Sequence, residues 1–217
     1  ASVTTTGAQD YGDSLGLTGA VTLTASQVTA SAAVTGDGNS VVIAGDLETA
    51  STIGGISTLE VQGSSSLGGS VTTTGTQDYT GAVTLTADLT LEGAGLTLAS
   101  TVDGPHSLTL TDSATTTLGA ALGGTQPLAN LTANGGGSLA ANGGSIAVSD
   151  TLTLATPVVL GANTTLSGDS VFLNETVDGA HDLTIEATTS TALTDTMGGT
   201  TALNSLTVAG ATITLSG

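Results

Sequence analysis

Apolar and polar residues alternate with a period of two along most of this chain. Val83-Thr84-Leu85-Thr86, Leu89-Thr90-Leu91, Leu96-Thr97-Leu98, Leu108-Thr109-Leu110, Leu152-Thr153-Leu154, Leu183-Thr184-Ile185 and Ile213-Thr214-Leu215 all set aliphatics at every second position with Thr between them. Successive side chains of a strand point to opposite faces, so the pattern predicts half-buried strands, aliphatics inside and Thr outside. Thr and Val favour that conformation. No capped segment with a 3.6-residue period competes with it. The breaks are Gly36-Asp37-Gly38-Asn39, Asp103-Gly104, Asn134-Gly135-Gly136-Gly137, Asn142-Gly143-Gly144, Asp178-Gly179 and Met197-Gly198-Gly199. These residues tolerate positive φ and make tight turns. The reading is of short strands, about 4–6 residues each, arriving roughly every 8–13 residues.

The pattern also recurs at long range. A shift of 75 residues lays Thr101-Val102-Asp103-Gly104-Pro105-His106 on Thr176-Val177-Asp178-Gly179-Ala180-His181, and a shift of 68 lays Ser2-Val3-Thr4-Thr5-Thr6-Gly7 on Ser70-Val71-Thr72-Thr73-Thr74-Gly75. Three internal repeats follow: 2–69, 70–144 and 145–217. The first carries an insertion, Gly12 to Leu17, and the third degrades the opening to Ile146 and Val148. Such units are too small or too one-sided to bury an apolar face alone, so neighbours must stack.

Two all-β architectures fit. One is a single continuous parallel β-solenoid over 1–217, with roughly three coils per repeat; the other is three tandem β-sandwich domains. A sandwich core calls for large side chains and commonly about 100 residues. This chain has no Trp, one Phe (Phe172) and two Tyr. A solenoid core is narrow and filled by stacked Val, Leu, Ile and Ala, which these repeats supply. The solenoid is the expectation, with some nine coils at about 4.8 Å each, a rod on the order of 45 Å.

The succession Val-Thr-Thr-Thr-Gly-(Ala/Thr)-Gln-Asp-Tyr, Gly-Ala-Val-Thr-Leu-Thr, Thr-Val-Asp-Gly-x-His-x-Leu-Thr and Gly-Gly-Thr-x-x-Leu resembles the repeats of large bacterial surface proteins, the filamentous-haemagglutinin-like and autotransporter-type adhesins. The resemblance covers nearly all of the three repeats. It implies right-handed β-helices, display at the cell surface and a role in adhesion or matrix.

Composition narrows the function. The chain has 217 residues, no Lys or Arg, and 18 Asp plus Glu, for a formal charge of −18. No cationic side chain can meet a phosphate, so nucleic acid is excluded as a partner. With no basic partner, nearly every carboxylate is expected to face water or a bound cation, because an unpaired buried charge costs several kcal/mol or more. Cys is absent, which excludes disulfides and Cys-ligated zinc. No apolar run reaches the ~18 residues of a membrane span. Ala1 follows no basic or apolar leader, which fits a processed chain or a piece of a longer one. The chain begins abruptly at Val3 and stops on Ala211-Thr212-Ile213-Thr214-Leu215 with no polar cap. Bare solenoid ends expose apolar side chains and unpaired backbone, so the expected partners are flanking repeats or further copies, stacked head to tail.

Candidate chemistry is sparse. Asp103/His106 and Asp178/His181 form the one recurring Asp–His constellation; two ligands fall short of a metal site, and Val-Asp-Gly also reads as a strand end whose Asp accepts backbone N–H bonds. Calcium is the best metal candidate, and Gly36-Asp37-Gly38-Asn39 with Gly45-Asp46 is its nearest sequence; diffuse, weakly bound Ca2+ is expected rather than a specific site. No cofactor is expected. Enzyme chemistry finds no basic residue, no aromatic platform for sugars and no Gly-x-Ser-x-Gly elbow. The Thr-x-Thr pairs Thr4/Thr6, Thr22/Thr24, Thr72/Thr74, Thr84/Thr86, Thr115/Thr117 and Thr151/Thr153 would suit an ice-binding face if they aligned, but their positions drift. Asn130-Leu131-Thr132, Asn163-Thr164-Thr165 and Asn174-Glu175-Thr176 are glycosylation sequons.

The expectation is therefore a structural protein without catalytic, metal or cofactor residues: an extracellular or cell-surface shaft, or a subunit of a filament, adhesin or sheath. The alternative is a binding module, with a face for surface glycans or for ice. Because the charge is one-sided, assembly should be favoured by divalent cations and by pH falling toward the pI of about 4.1.

Overall fold

The computed structural model describes residues 1–216. It is all-β, and every pairing between its strands is parallel, which rules out antiparallel sandwiches. The chain winds as a solenoid with three faces per coil. On the face called B, the inward column runs Gln9, Val28, Leu47, Ser65, Val83, Val102, Leu122, Ile146, Leu166, Ile185, Val208, each residue directly over the next. Face A climbs through two inward columns, one from Val3 to Leu160 and one from Val21 to Met197, and on face C a single column runs from Leu15 to Leu215. Each face has eleven levels, so the rod has eleven coils. At about 4.8 Å per coil it is roughly 50 Å long.

The expected nine coils were too few for a definite reason. A coil takes 19 residues between Val28 and Leu47 and 24 between Leu122 and Ile146, so inward segments come closer together than alternation alone reveals. Several are only two residues long, such as Leu15–Gly16, Val102–Asp103 and Val177–Asp178. Others pass a corner without a break, as in the 16-residue strand Val34–Thr49. The insertion Gly12 to Leu17 is itself an extra strand, since Leu15–Gly16 pairs with Val34–Thr35.

The sequence repeat is not a whole number of coils. Val3 lies on face A of the first coil, Val71 on face C of the fourth and Ile146 on face B of the eighth. Each repeat thus advances three full coils and two further faces, eleven strand positions. Homologous residues sit on different sides of the rod.

Inside, aliphatic columns make one continuous core from Val21 to Leu193. The alternation reads as expected: Leu108 and Leu110 are buried with Thr109 between them at the surface. The turn glycines are placed by contact as well as conformation. Gly104 has φ +134, and a Cβ there would stand 2.5 Å from the carbonyl oxygen of Leu85; its homologue Gly179 has φ +129 and the same conflict with Leu160, at 2.4 Å. Any side chain at either position would push neighbouring coils apart.

Two polar devices lie within this apolar rod. In the first, Gln77 is fully buried and its Nε2 donates to the carbonyls of Val71 at 3.1 Å and Glu92 at 2.7 Å. The Tyr79 hydroxyl donates to Gln77 Oε1 at 3.1 Å. Gln9 and Tyr11 repeat the arrangement, with Nε2 donating to Val3 and Thr24 and the Tyr11 hydroxyl donating to Gln9 Oε1. The amide thus satisfies carbonyls left open where the chain turns a corner. At the matching places the third repeat has Leu152 and Leu154, an apolar solution to the same corner. We expect Gln77→Leu alone to cost about 2–4 kcal/mol, since it orphans the Tyr79 hydroxyl and two carbonyls. Gln77→Leu with Tyr79→Leu should cost less than the two single losses combined, as a double-mutant cycle in urea will read. Burial also pushes the Tyr79 phenol well above its ordinary range. The folded chain holds that proton while the unfolded chain releases it above about pH 10. The associated stability is complete below that pH and lost above it, and Tyr79→Phe should flatten this alkaline limb.

The second device corrects an expectation about charge. Asp112 is 2% exposed and has no Lys or Arg to meet. Its Oδ1 accepts the N–H of Gly95 at 2.7 Å and of Ala114 at 3.0 Å; its Oδ2 accepts the N–H of Leu96 and the Thr116 hydroxyl, both at 3.0 Å. Four donors replace the water or cation that the composition called for, and they tie the start of one face A strand to the next.

Candidate functional site

The two Val-Asp-Gly-x-His motifs are the recurring chemical feature of the sequence, and the structure gives them a mechanical role. Asp103 Oδ1 accepts the N–H of Thr125 at 2.9 Å and of Gln126 at 3.0 Å. Asp178 Oδ1 accepts the N–H of Thr200 at 2.7 Å and of Thr201 at 3.0 Å. In both repeats the Asp of one coil caps the Gly-Gly-Thr loop of the coil above, which joins two motifs that the sequence shows only as separate. The loops, Gly123 to Leu128 and Gly198 to Leu203, account for the longest coils. The Asp side chains accept backbone N–H groups as expected, but from the loop of the next coil rather than from their own turn.

The histidines do not gather. Asp103 and Asp178 spend their carboxylates on the loops. His106 sits at the corner between faces B and C, and its Nδ1 is 3.6 Å from Asp88 Oδ1, a contact that only the stacking of successive coils creates. His181 lies between faces A and B, because the repeats are rotated by one face, so the two rings share no line along the rod. The backbone carbonyls of both accept a loop N–H, from Ala129 and Asn204 respectively.

The calcium candidate is likewise dispersed. Asp37 is exposed with φ +45 at the register shift inside the strand Val34–Thr49, Asp46 Oδ1 accepts the Ser64 N–H, and the Asn39 amide donates to the carbonyls of Leu17 and Gly36. Among the described residues no three His, Asp or Glu side chains come together. The enclosed cavity near the first coils, lined by Leu23, Val28, Ile43, Leu47 and other apolar side chains, measures about 20 Å³. It has room for no more than a water and no polar group to hold one. The open grooves lie at corners. One runs past Ser167, Asp169, Glu186 and Thr188, and its Asp169 accepts the Thr188 hydroxyl.

The Thr-x-Thr pairs scatter as expected, with Thr22/Thr24 and Thr115/Thr117 on face A, Thr84 on face B, and Thr72 and Thr151/Thr153 on face C. The stacking nevertheless assembles one column that the sequence did not show. Thr90, Thr109, Thr132 and Thr153 stand directly over one another on face C, with Phe172 on the next level. The neighbouring outward residues Ser107, Asn130 and Thr151 are uncharged, but Thr90 is flanked by the carboxylates of Asp88 and Glu92. Of the sequons, Asn130 is committed within the fold, its Nδ2 donating to Ser107 and its Oδ1 accepting the Thr151 N–H. Asn163 Oδ1 accepts the Asp182 N–H, and Asn174 is exposed at a bend.

The surface offers hydrogen bonds from hydroxyls and attraction of cations by dispersed carboxylates. No family model matches the chain, and no match was found among curated proteins or solved structures.

Proposed function

We propose that this chain is a structural shaft: a length of β-solenoid outside the cell, serving in a surface filament, adhesin or sheath and joined end to end with coils of its own kind. The observation that carries this reading is the unbroken inward stacking on each face through all eleven coils. Nearly every aliphatic is spent on holding successive coils together, and the polar devices within satisfy backbone or bridge coils. A rod built this way derives its usefulness from length and stiffness. The exterior, hydroxyl-rich and anionic with no basic residue, suits a solvated surface that repels its own sides. The motif resemblance to bacterial surface adhesins points to the same place of work. Negative-stain electron microscopy of the purified chain tests the reading. Rods of roughly 50 Å, or multiples of that length, are the expected result; round particles would overturn it.

A binding role draws on a different observation, the four-level Thr column on face C. Hydroxyls repeating at strand spacing, with carboxylates beside them only at the level of Thr90, suit an ordered lattice of oxygen atoms, in ice or in a polysaccharide. Thermal hysteresis and glycan-array binding measured on the folded chain decide it; a null in both leaves the shaft alone.

A further inference from the structure

We propose that face C, from the sixth coil to the tenth, binds a neutral polysaccharide. The inference deepens the binding reading above, on which it rests, and leaves the shaft reading untouched. Three observations carry it. The first is charge. The outward columns of these coils begin at Ser107, Thr109 and Thr111 and end at Ser190, Ala192 and Thr194. They hold only Ser, Thr, Asn, Ala and Phe172. Carboxylates stand at the edges, Asp150 and Asp169 before the strands, Glu175 and Asp195 after them. That rim repels a polyanion, and it repels a second anionic copy of the chain. An uncharged polymer meets only the neutral strip between. The second observation is Phe172. It is the one aromatic side chain on an outward column, since Tyr79 is buried and Tyr11 packs against the core. Thr153 lies below it and Ala192 above. An aromatic ring among hydroxyls and amides suits a sugar, which has an apolar C–H face and a hydroxyl edge. Asn130 is held in place, its Nδ2 donating to Ser107 Oγ at 3.2 Å and its Oδ1 accepting the Thr151 N–H at 3.0 Å. Asn134 Oδ1 accepts the Thr111 hydroxyl at 3.0 Å, and its Nδ2 donates to no group among the described residues. Phe172 and Ala192 also interrupt the hydroxyl column above Thr153, which spoils a lattice match to ice and does not hinder a polymer. The third observation is size. At about 4.8 Å per coil and about five residues per strand the strip is on the order of 20 Å by 15 Å, well short of the ~800 Å² per partner of a stable protein interface. So narrow a strip suits a linear ligand.

Co-sedimentation of the folded chain with microcrystalline cellulose, chitin and an insoluble β-glucan tests it, with alginate titrated as the anionic counterpart. At least one neutral polymer should bind, and alginate should not. Thr132→Glu sets a charge in the middle of the strip and should weaken binding about tenfold or more; Phe172→Ala should weaken it about two- to tenfold. Thr117→Glu, the same change on face A, should leave it unchanged. Urea midpoints show that each variant is folded, and Thr153→Glu takes the place of Thr132→Glu if that variant is not. Binding that survives both face C changes would overturn the proposal. Alginate held as tightly as the neutral polymers would overturn it as well. Dimers that Thr132→Glu dissolves, with no polymer bound, would replace it with a contact between copies. Thermal hysteresis without polymer binding would sink the proposal and leave the binding reading to ice. The absence of both would remove that reading too.

Discussion

Replacing Asp112 with alanine should destabilise the middle of the rod by about 3 kcal/mol or more. The carboxylate holds the N–H groups of Gly95, Leu96 and Ala114 and the hydroxyl of Thr116; the bonds to Leu96 and Thr116 are buried and those to Gly95 and Ala114 part-buried. Alanine leaves all four donors without this acceptor, at about 1–3 kcal/mol for each buried one and less for the part-buried pair. Relief of the carboxylate's own desolvation offsets part of that sum, which is why the net figure is nearer the lower end. Asp112→Asn keeps one acceptor oxygen but turns a donor toward the others, so it should recover less than half of the loss. Urea titration reads the total. Hydrogen exchange locates it, because a solenoid is stabilised coil by coil and damage stays near its origin. The amides of Gly95, Leu96 and Ala114 should exchange fastest relative to the parent chain, and those of Leu23 or Leu183 should be unchanged. Uniform acceleration along the rod would contradict local coupling.

Leu131→Ala should cost about 2–5 kcal/mol. Leu131 is fully buried, with Leu108 beneath and Leu152 above, so removing its methyl groups empties a space that neither neighbour can fill without breaking register. The same change at Leu206, 41% exposed on the last coil, should cost under about 1 kcal/mol in the isolated chain. The contrast between the two sites measures how much of the core depends on having a coil on both sides. Equal losses would mean that Leu206 is already covered in solution, and a concentration series would reveal it.

The architecture was legible because alternation marks the inward positions directly: in Leu108-Thr109-Leu110 the two leucines are buried and Thr is not. That Asp103 and Asp178 accept backbone N–H groups was legible in their Val-Asp-Gly setting, but which ones was not, because the donors lie 22 and 23 residues on, in the next coil. What stayed hidden depends on residues about one coil away in the chain. Leu110-Thr111-Asp112-Ser113 reads as a strand running out into a polar turn. Only the arrival of Gly95 and Leu96 at that corner makes the acid internal. Gln77-Asp78-Tyr79 reads as polar, yet its amide answers a carbonyl 15 residues on. The Thr column on face C could not be found without the coil lengths, which vary with loops such as Gly123 to Leu128. The coil count failed because segments like Val102–Asp103 are too short to alternate.

The mismatch between an eleven-strand motif and a three-sided rod works like a vernier. A gene made of such units can lose or gain one by slippage, and the protein still folds, since the strands remain interchangeable. Everything beyond the change, however, swings by a third of a turn, carrying its surface to another side of the rod. Adding or deleting three units restores the original bearing. Length and orientation are therefore inherited together, and a lineage that must keep its distal surface facing one way is confined to steps of three.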